Sequence, residues 1–293
     1  MHQYRFKGRR FIFVVLINLL VSVLELILGI ISQSLALVSD AFHNIEDTAS
    51  VFISYIAWIY SFKGANREKT YGYKRAEVIA AFVNSIFLII ISVFIIAEGI
   101  KRYFLAPVVN ADIMLFTSIL AFLVNAISAF IIHNDSHYNI NWKSAYLHML
   151  GDALFSLAVM VGAFFVKRHS ILWIDPFLSL IIGCVMIYQG WKVLRRSFNI
   201  LMQSSADLNY ESIKKDIESI EGVRNIHDLH SWLGNESDIY FEAHIEIADM
   251  SVSESCVVLK KIENVLKEKY KIHHTTLQLE TDICLKKDMF HIG

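Results

Sequence analysis

His43 and Asp47 stand four residues apart, and so do His148 and Asp152. In an α-helix that spacing puts the imidazole and the carboxylate of each pair on one face, one turn apart. Together the pairs offer two nitrogens and two oxygens, a donor set that suits four-coordinate Zn²⁺. Both pairs fall inside runs otherwise apolar enough for a lipid bilayer. On insertion scales a charged side chain at the bilayer centre costs about 2.5–3.5 kcal/mol, so four ionisable groups at that depth require a compensating partner. A divalent metal ion crossing the membrane is such a partner. Asp47 and Asp152 cancel its charge if both histidines are neutral, and a neutral cluster can be enclosed in low dielectric at modest cost. Two bare carboxylates cannot, so the empty site is expected to take up protons, with His43 and His148 as the groups that titrate near neutrality. Zinc needs neutral imidazole, so its binding expels those protons, and metal/proton exchange follows. The plainer alternative is a buried His–Asp hydrogen bond within each helix; the repetition in two separate spans weighs against it.

The elements that must hold these residues are six apolar runs: Phe11–Ile31, Ala36–Tyr60, Ala76–Ala97, Ile113–Ile132, Ala145–Val166 and Leu172–Leu194. Hydrophobic residues make up 55% of the 293, with only two prolines. Runs of about 20 apolar residues imply an α-helical membrane protein. The first run, spotted with Asn18, Ser22 and Glu25, is too long for a cleaved signal peptide. Asn18, Ser22 and Glu25 share one helical face, as do Asp40, His43 and Asp47 in the second run, so both stripes should face a bundle interior or a water-filled cavity. For Asn18 and Ser22, hydrogen bonding between helices is an equal alternative. Asp40, one turn before His43, is expected to support the site from behind or relay protons, with capping near the short loop 31–35 as the alternative.

An even number of spans puts both termini on one side. Basic residues crowd that side (Arg5, Lys7, Arg9, Arg10; Lys63, Arg67, Lys69, Lys74, Arg75; Lys143; Lys192, Arg195, Arg196), against Lys101, Arg102, Lys167 and Arg168 on the other. The positive-inside rule then places the termini in the cytoplasm. Near residue 204 the composition turns mixed and charged, so the chain divides into a six-span domain (1–203) and a soluble domain (204–293). Charge follows the same break, +6 in the first part and −7 in the second. An acidic soluble domain argues against nucleic acid and suits the handling of cations, although an ordinary solvated surface would look the same. Cysteines 184, 256 and 284 are odd in number and unpaired in spacing, which implies a reduced environment.

The soluble part reads as αββαβ, a small two-layer α+β domain. Tyr210, Ile213, Ile217 and Ile220 have helical spacing. Strands are expected over Val223–Trp232 and Ile239–Ile247, split at Gly234-Asn235. An amphipathic helix follows over Val252–Tyr270, and Thr275–Asp282 closes the sheet. Ile239, Phe241, Ala243, Ile245 and Ile247 alternate inward and leave His244 on the polar face. Leu277 and Leu279 likewise leave Gln278 and Glu280 outward, whereas the first strand alternates too poorly to place His227.

Several stretches together resemble the cation diffusion facilitator family, and they span nearly the whole chain in order: Ser39-Asp40-Ala41-Phe42-His43-Asn44-Ile45-Glu46-Asp47, Tyr71-Gly72-Tyr73-Lys74-Arg75-Ala76-Glu77-Val78, His148-Met149-Leu150-Gly151-Asp152, Asp175-Pro176, His227-Asp228-Leu229-His230-Ser231-Trp232 and His274-Thr275-Thr276-Leu277-Gln278-Leu279-Glu280. The resemblance implies a homodimeric, proton-coupled exporter of divalent metal with alternating access, six spans and a cytoplasmic metallochaperone-like (ferredoxin-like) domain. It implies that His43, Asp47, His148 and Asp152 form the transport site, with zinc as substrate and cadmium or cobalt as secondary ones. Manganese-type members carry harder ligands in place of the histidines. Some members bind metal in the loop after span two; here Lys69 and Tyr73 stand where histidines would, so no loop site is expected. A cytoplasmic site maps onto His227, His244 and Glu280, with Cys256 or Cys284 as helpers, and zinc there would regulate. Gln278 stands where some members have histidine. The resemblance also suggests a charge pair of Arg75 with Asp207 that locks the dimer, and metal capture by His133 and His137, against an ordinary solvated loop. Length and the lack of a long His-rich insertion lean towards a bacterial cell membrane.

Three other classes compete. A metal sensor would not need paired ligands at mid-membrane depth. An exporter of organic cations would want an aromatic-lined cavity. A hydrolytic enzyme fits least, because Asn44 and Met149, not nucleophiles, follow the histidines.

Overall fold

The computed structural model describes residues 2–105, 107–133, 140–281 and 288–290. Six long helices come first: α1 (His2–Ser32), α2 (Leu35–Ser61), α3 (Ala76–Leu105), α4 (Ala111–His133), α5 (Ile140–His169) and α6 (Ile174–Leu201). They are followed by α7 (Tyr210–Glu218), β1 (Val223–Leu233), β2 (Ile239–Ile247), α8 (Val252–Tyr270) and β3 (His274–Glu280). The chain forms two compact units, Met1–Ile56 with Val83–Leu194, and Ala57–Phe82 with Arg195–Gly293.

The first unit is a helical membrane domain. Segments of α1, α3, α4, α5 and α6 are long and apolar enough to cross a bilayer. The expected sixth span, α2, matches them in its 27 residues, but Asp40, His43, Asn44, Glu46 and Asp47 make it less apolar. Polarity is inverted relative to a soluble protein. Phe94, Phe116 and Phe130 are each more than 60% exposed, while Ser22, Glu25, Asp40, Asn125 and Ser156 are buried. That is the arrangement lipid outside and a polar interior favour. Between the helices an apolar core of Leu37, Met114, Val159, Ile182 and Met186 fills the gaps. Close helix approach rests on glycine: a Cβ on Gly162 would lie 2.5 Å from Leu178 Cδ1, and one on Gly183 would lie 2.8 Å from Ile96 Cγ1.

The start of α2 is fully capped from elsewhere in this unit. Asp175, in the first turn of α6 and fully buried, accepts hydrogen bonds from Ser34 Oγ (2.5 Å), Leu35 N–H (2.8 Å) and Ala36 N–H (3.2 Å). Ser34 Oγ accepts from Leu37 N–H (3.2 Å) and Ser34 O from Val38 N–H (3.3 Å). The amides that a helix start leaves orphaned are thus all satisfied.

In the second unit, α7 and α8 pack on one face of a three-stranded sheet ordered β1-β2-β3, with β1·β2 antiparallel and β2·β3 parallel. The expected αββαβ order is what forms. Ile213, Ile217, Ile226, Phe241, Ile245, Ile262 and Leu266 build its core. Asn209 caps α7, and Ser251 with Glu254 form a reciprocal capping box on α8. The irregular first strand has a cause: its register slips between His227 and His230, where Asp228 adopts φ 49° and Leu229 N–H turns to Met289 O (2.8 Å). This bulge re-aims the side chains around it. Preceding α3, Asn66 Oδ1 accepts from the amides of Glu68 and Lys69, and Gly72 supplies a left-handed turn (φ 72°) where a Cβ would meet Lys63 O at 3.1 Å.

Candidate metal site

α2 and α5 bring the two His–Asp pairs into one cluster. His43 Nδ1 lies 3.6 Å from Asp47 Oδ2 and its Nε2 lies 3.9 Å from Asp152 Oδ1. His148 Nε2 lies 3.2 Å from Asp47 Oδ2 and 3.8 Å from Asp152 Oδ2. Tetrahedral zinc with ligand bonds of about 2.0–2.2 Å needs donors about 3.3–3.6 Å apart. The observed separations bracket that edge length. Ligand atoms of His43, Asp47 and Asp152 all fall within 4.8 Å of one another, and the two imidazoles meet edge-on at 6.3 Å. His43 Nδ1 and Asp47 Oδ2 are buried without an aligned hydrogen bond. Donors that converge without bonding one another are what a cation between them would satisfy.

Burial is uneven. The side chains of His43 and Asp152 are 2% and 5% exposed, those of Asp47 and His148 27% and 39%. The exposed pair borders a cavity of about 230 Å³ that Asn18, Asn44, Thr48, Val51, Ala145 and Met149 also line. Asn18 of the α1 stripe donates to Met149 Sδ (3.2 Å) and accepts from Ser128 Oγ (3.4 Å), while Ser22 bonds its own helix at Asn18 O. Asn18 therefore both binds helices together and borders the cavity. Asp40 is fully buried. Its Oδ2 accepts from Ser156 Oγ (3.0 Å), which in turn accepts from Asn125 (3.2 Å). Its Oδ1, like both oxygens of Glu25, has no hydrogen-bond partner among the described residues. The Asn125–Ser156–Asp40 chain has no signature in the sequence beyond small polar residues in apolar helices.

In the second unit a smaller cluster forms around the sheet. His227 and His244 are register partners, their rings 5.6 Å apart. Glu280 Oε1 lies 2.7 Å from His227 Nε2, and Oε2 lies 3.4 Å from His244 Nδ1. Neither nitrogen of the buried His227 makes an aligned hydrogen bond. The three ligand atoms lie within 4.8 Å of one another. Glu280 was expected to face outward with Gln278, but it is 5% exposed because its carboxylate folds against His227. Asp228, on the bulge, adds an oxygen 3.8 Å from His244 Nε2. Gln278 stands beside His244 in register and bonds Glu280 (3.4 Å). Cys256, on α8, is exposed and free and is not among the converging groups; Cys284 and His137 lie outside the described residues. His133 packs edge-on against Tyr146 (5.2 Å). No ion pair joins Arg75 to Asp207 within the chain among the described residues; the loop's ion pair is instead Lys74 with Asp238 (2.7 Å).

Residues 11–202 match the cation efflux transmembrane domain, and residues 206–282 match the cation efflux protein cytoplasmic domain. A cadmium, cobalt and zinc/H(+)-K(+) antiporter of Bacillus subtilis is 37% identical over 89% of this chain and 85% of its own. The zinc transporter ZitB of Pectobacterium atrosepticum is 32% identical over 97% of this chain and 88% of its own. A solved structure, the metal-bound C-terminal domain of the CzcD transporter from Cupriavidus metallidurans, is 29% identical and covers 25% of this chain and 99% of its own, with a TM-score of 0.23. The chain is therefore a multi-pass membrane protein of the cation efflux (cation diffusion facilitator) family.

Proposed function

We propose that this protein exports Zn²⁺, with Cd²⁺ and Co²⁺ as further substrates, in exchange for protons through a site made by His43, Asp47, His148 and Asp152. One observation carries the reading: four donors from two helices converge at separations close to the edges of a zinc tetrahedron. The names of the relatives, zinc transporter and metal/H(+)-K(+) antiporter, agree with it. Two carboxylates neutralise the ion so that it can be enclosed, and proton uptake neutralises the site once the ion leaves. Exposure of Asp47 and His148 to the cavity gives metal and protons their entry, while buried His43 and Asp152 close the far side. The protein acts as a homodimer that alternates access across the bacterial cell membrane, with the membrane part ending near residue 203 and both termini cytoplasmic. His227, His244 and Glu280 hold a regulatory zinc in the domain that follows.

Zinc flux into proteoliposomes under an imposed pH gradient tests this. Wild-type protein should show proton-dependent flux and Asp152→Ala should abolish it. No flux in wild type alongside zinc binding would overturn export in favour of sensing.

A further inference from the structure

Immediately before α3 the loop closes a cavity of about 350 Å³ whose lining holds three cations, Lys69, Lys74 and Arg75, and no carboxylate. Lys74 is matched by Asp238 at 2.7 Å, just outside the lining. Arg75 is half-buried and has no carboxylate partner among the described residues, and Lys69 is exposed with only the Tyr73 ring beneath it at 5.7 Å. The cavity thus carries an excess of two positive charges over its matched pair. Its wall is otherwise aromatic: Tyr71 meets Tyr240 edge-on at 5.3 Å, and Tyr240 stacks on Trp232 at 5.6 Å. Besides Gln203 and two glycines, the remaining side is Ala76 and Ile79, the first turn of a helix apolar enough to cross a bilayer. The positive end of that helix's dipole therefore adds to the same field.

We propose that this cavity binds the phosphate of an anionic phospholipid headgroup. Arginine without a carboxylate partner inside its own chain is suited to phosphate because its planar fork can make two parallel hydrogen bonds. Tyr71 and Tyr73 with basic side chains at the start of an apolar span are the composition of a membrane–water boundary. The volume suits a small ligand group. Half-exposed Ile79 on the rim gives an acyl chain an apolar path out, which a free phosphate would not use. Lipid binding here is independent of which metal the protein carries, and of whether it carries one.

The test uses full-length, delipidated protein in a neutral detergent, with retained lipid counted by native mass spectrometry during titration with phosphatidylglycerol or phosphatidylcholine. Phosphatidylglycerol should be retained in preference to phosphatidylcholine. Arg75→Gln should weaken that retention at least about tenfold and Lys69→Gln about fivefold, while Lys167→Gln, whose ion pair is with Asp112, should leave it unchanged. Lys69 is exposed, so its variant reports even if Arg75→Gln folds poorly. Equal retention of the two lipids, or phosphatidylglycerol retention that ignores both substitutions, would overturn the proposal. Displacement by millimolar inorganic phosphate alone would also overturn it, by assigning the cavity to a soluble anion. Zinc flux plays no part in the readout, so failure of the transport reading would leave this result standing.

Discussion

Replacing Asp175 by alanine should destabilise the membrane domain and loosen the metal site two turns away. The carboxylate removes three donors from isolation, Ser34 Oγ–H, Leu35 N–H and Ala36 N–H, in a place where Asp175 is 0% exposed and water cannot substitute. Hydrogen bonds between membrane helices average about 0.6 kcal/mol by double-mutant cycles, whereas bonds to a charged group reach about 1.5–3 kcal/mol. Three bonds at the lower figure give about 2 kcal/mol. The upper figure overshoots, because the alanine variant no longer has to desolvate a carboxylate, so about 2–5 kcal/mol is expected. At about 2–4 °C per kcal/mol for a domain of this size, the midpoint of thermal unfolding in detergent should fall by at least about 4 °C. Asp175→Asn would keep one acceptor but turn an amide N–H towards the same donors, and should recover less than half of the loss. Ser34→Ala removes the N-cap of the same helix and should cost about 0.5–2 kcal/mol. The double variant should lose less than the sum, since Ser34 and Asp175 share a bond. Because α2 carries His43 and Asp47 downstream of the cap, zinc flux should fall in step with stability. An Asp175→Ala midpoint within about 1 °C of wild type, additive with Ser34→Ala, would refute the reasoning.

Two further outcomes follow from the second unit. Removing zinc with a chelator should lower the thermal midpoint of its unfolding, by the equivalent of about 2.7 kcal/mol if metal had been present at a hundred times its Kd, and His227→Ala should erase that dependence; a chelator effect that persists in the variant would exclude the His227–His244–Glu280 site. Hydrogen bonds from Lys269 and from the Tyr270 hydroxyl hold the Asp216 carboxyl below its usual range, so its stabilising contribution is present above the unfolded carboxyl value of about 3.9 and is lost as pH falls through the lower folded one. Asp216→Asn should therefore narrow the stability gap between about pH 7 and about pH 3 in chemical denaturation, and an unchanged gap would remove the linkage.

Much of this architecture could be read from local pattern. Apolar runs placed α1 and α3–α6, and alternation in Ile239–Ile247 gave β2 its two faces. The i,i+4 spacing of His43/Asp47 and His148/Asp152 is enough to put each pair on one helical face. What escaped was non-local. Nothing near Asp175 announces donors 140 residues earlier, and Ser156 gives no local sign of Asp40, 116 residues away. His227 could not be placed because the bulge at Asp228 depends on pairing with the chain near Met289. Alternation points Glu280 outward because it assumes that each strand face has one environment. A carboxylate beside an imidazole at 2.7 Å is buried by that partner, not by the period of its strand.

The cavity beside the metal site opens in one direction along three helices. On α2 the cavity is lined by Asn44, Asp47, Thr48 and Val51, all C-terminal to His43; on α5 it is lined by Ala145, His148, Met149 and, innermost, Asp152, all in the N-terminal half of that helix; on α1 it is lined by Val15 and Asn18, in the N-terminal half of its membrane-crossing segment Val14–Ser32. With α1 and α5 entering from the side of the termini and α2 returning to it, all three sets point to that side. On the proposed transport reading, this arrangement is the state that would accept metal from the compartment of the termini, with His43 and Asp152 as its floor. A cysteine at Val51, in a background with the native cysteines replaced, should react with a membrane-impermeant thiol reagent added to that side, and zinc should slow the reaction. A cysteine at Ile171, in the turn between α5 and α6, should react only from the other side. Val51→Cys labelled solely from the side of residue 171 would reverse the assignment, and labelling indifferent to zinc would separate the cavity from the metal path.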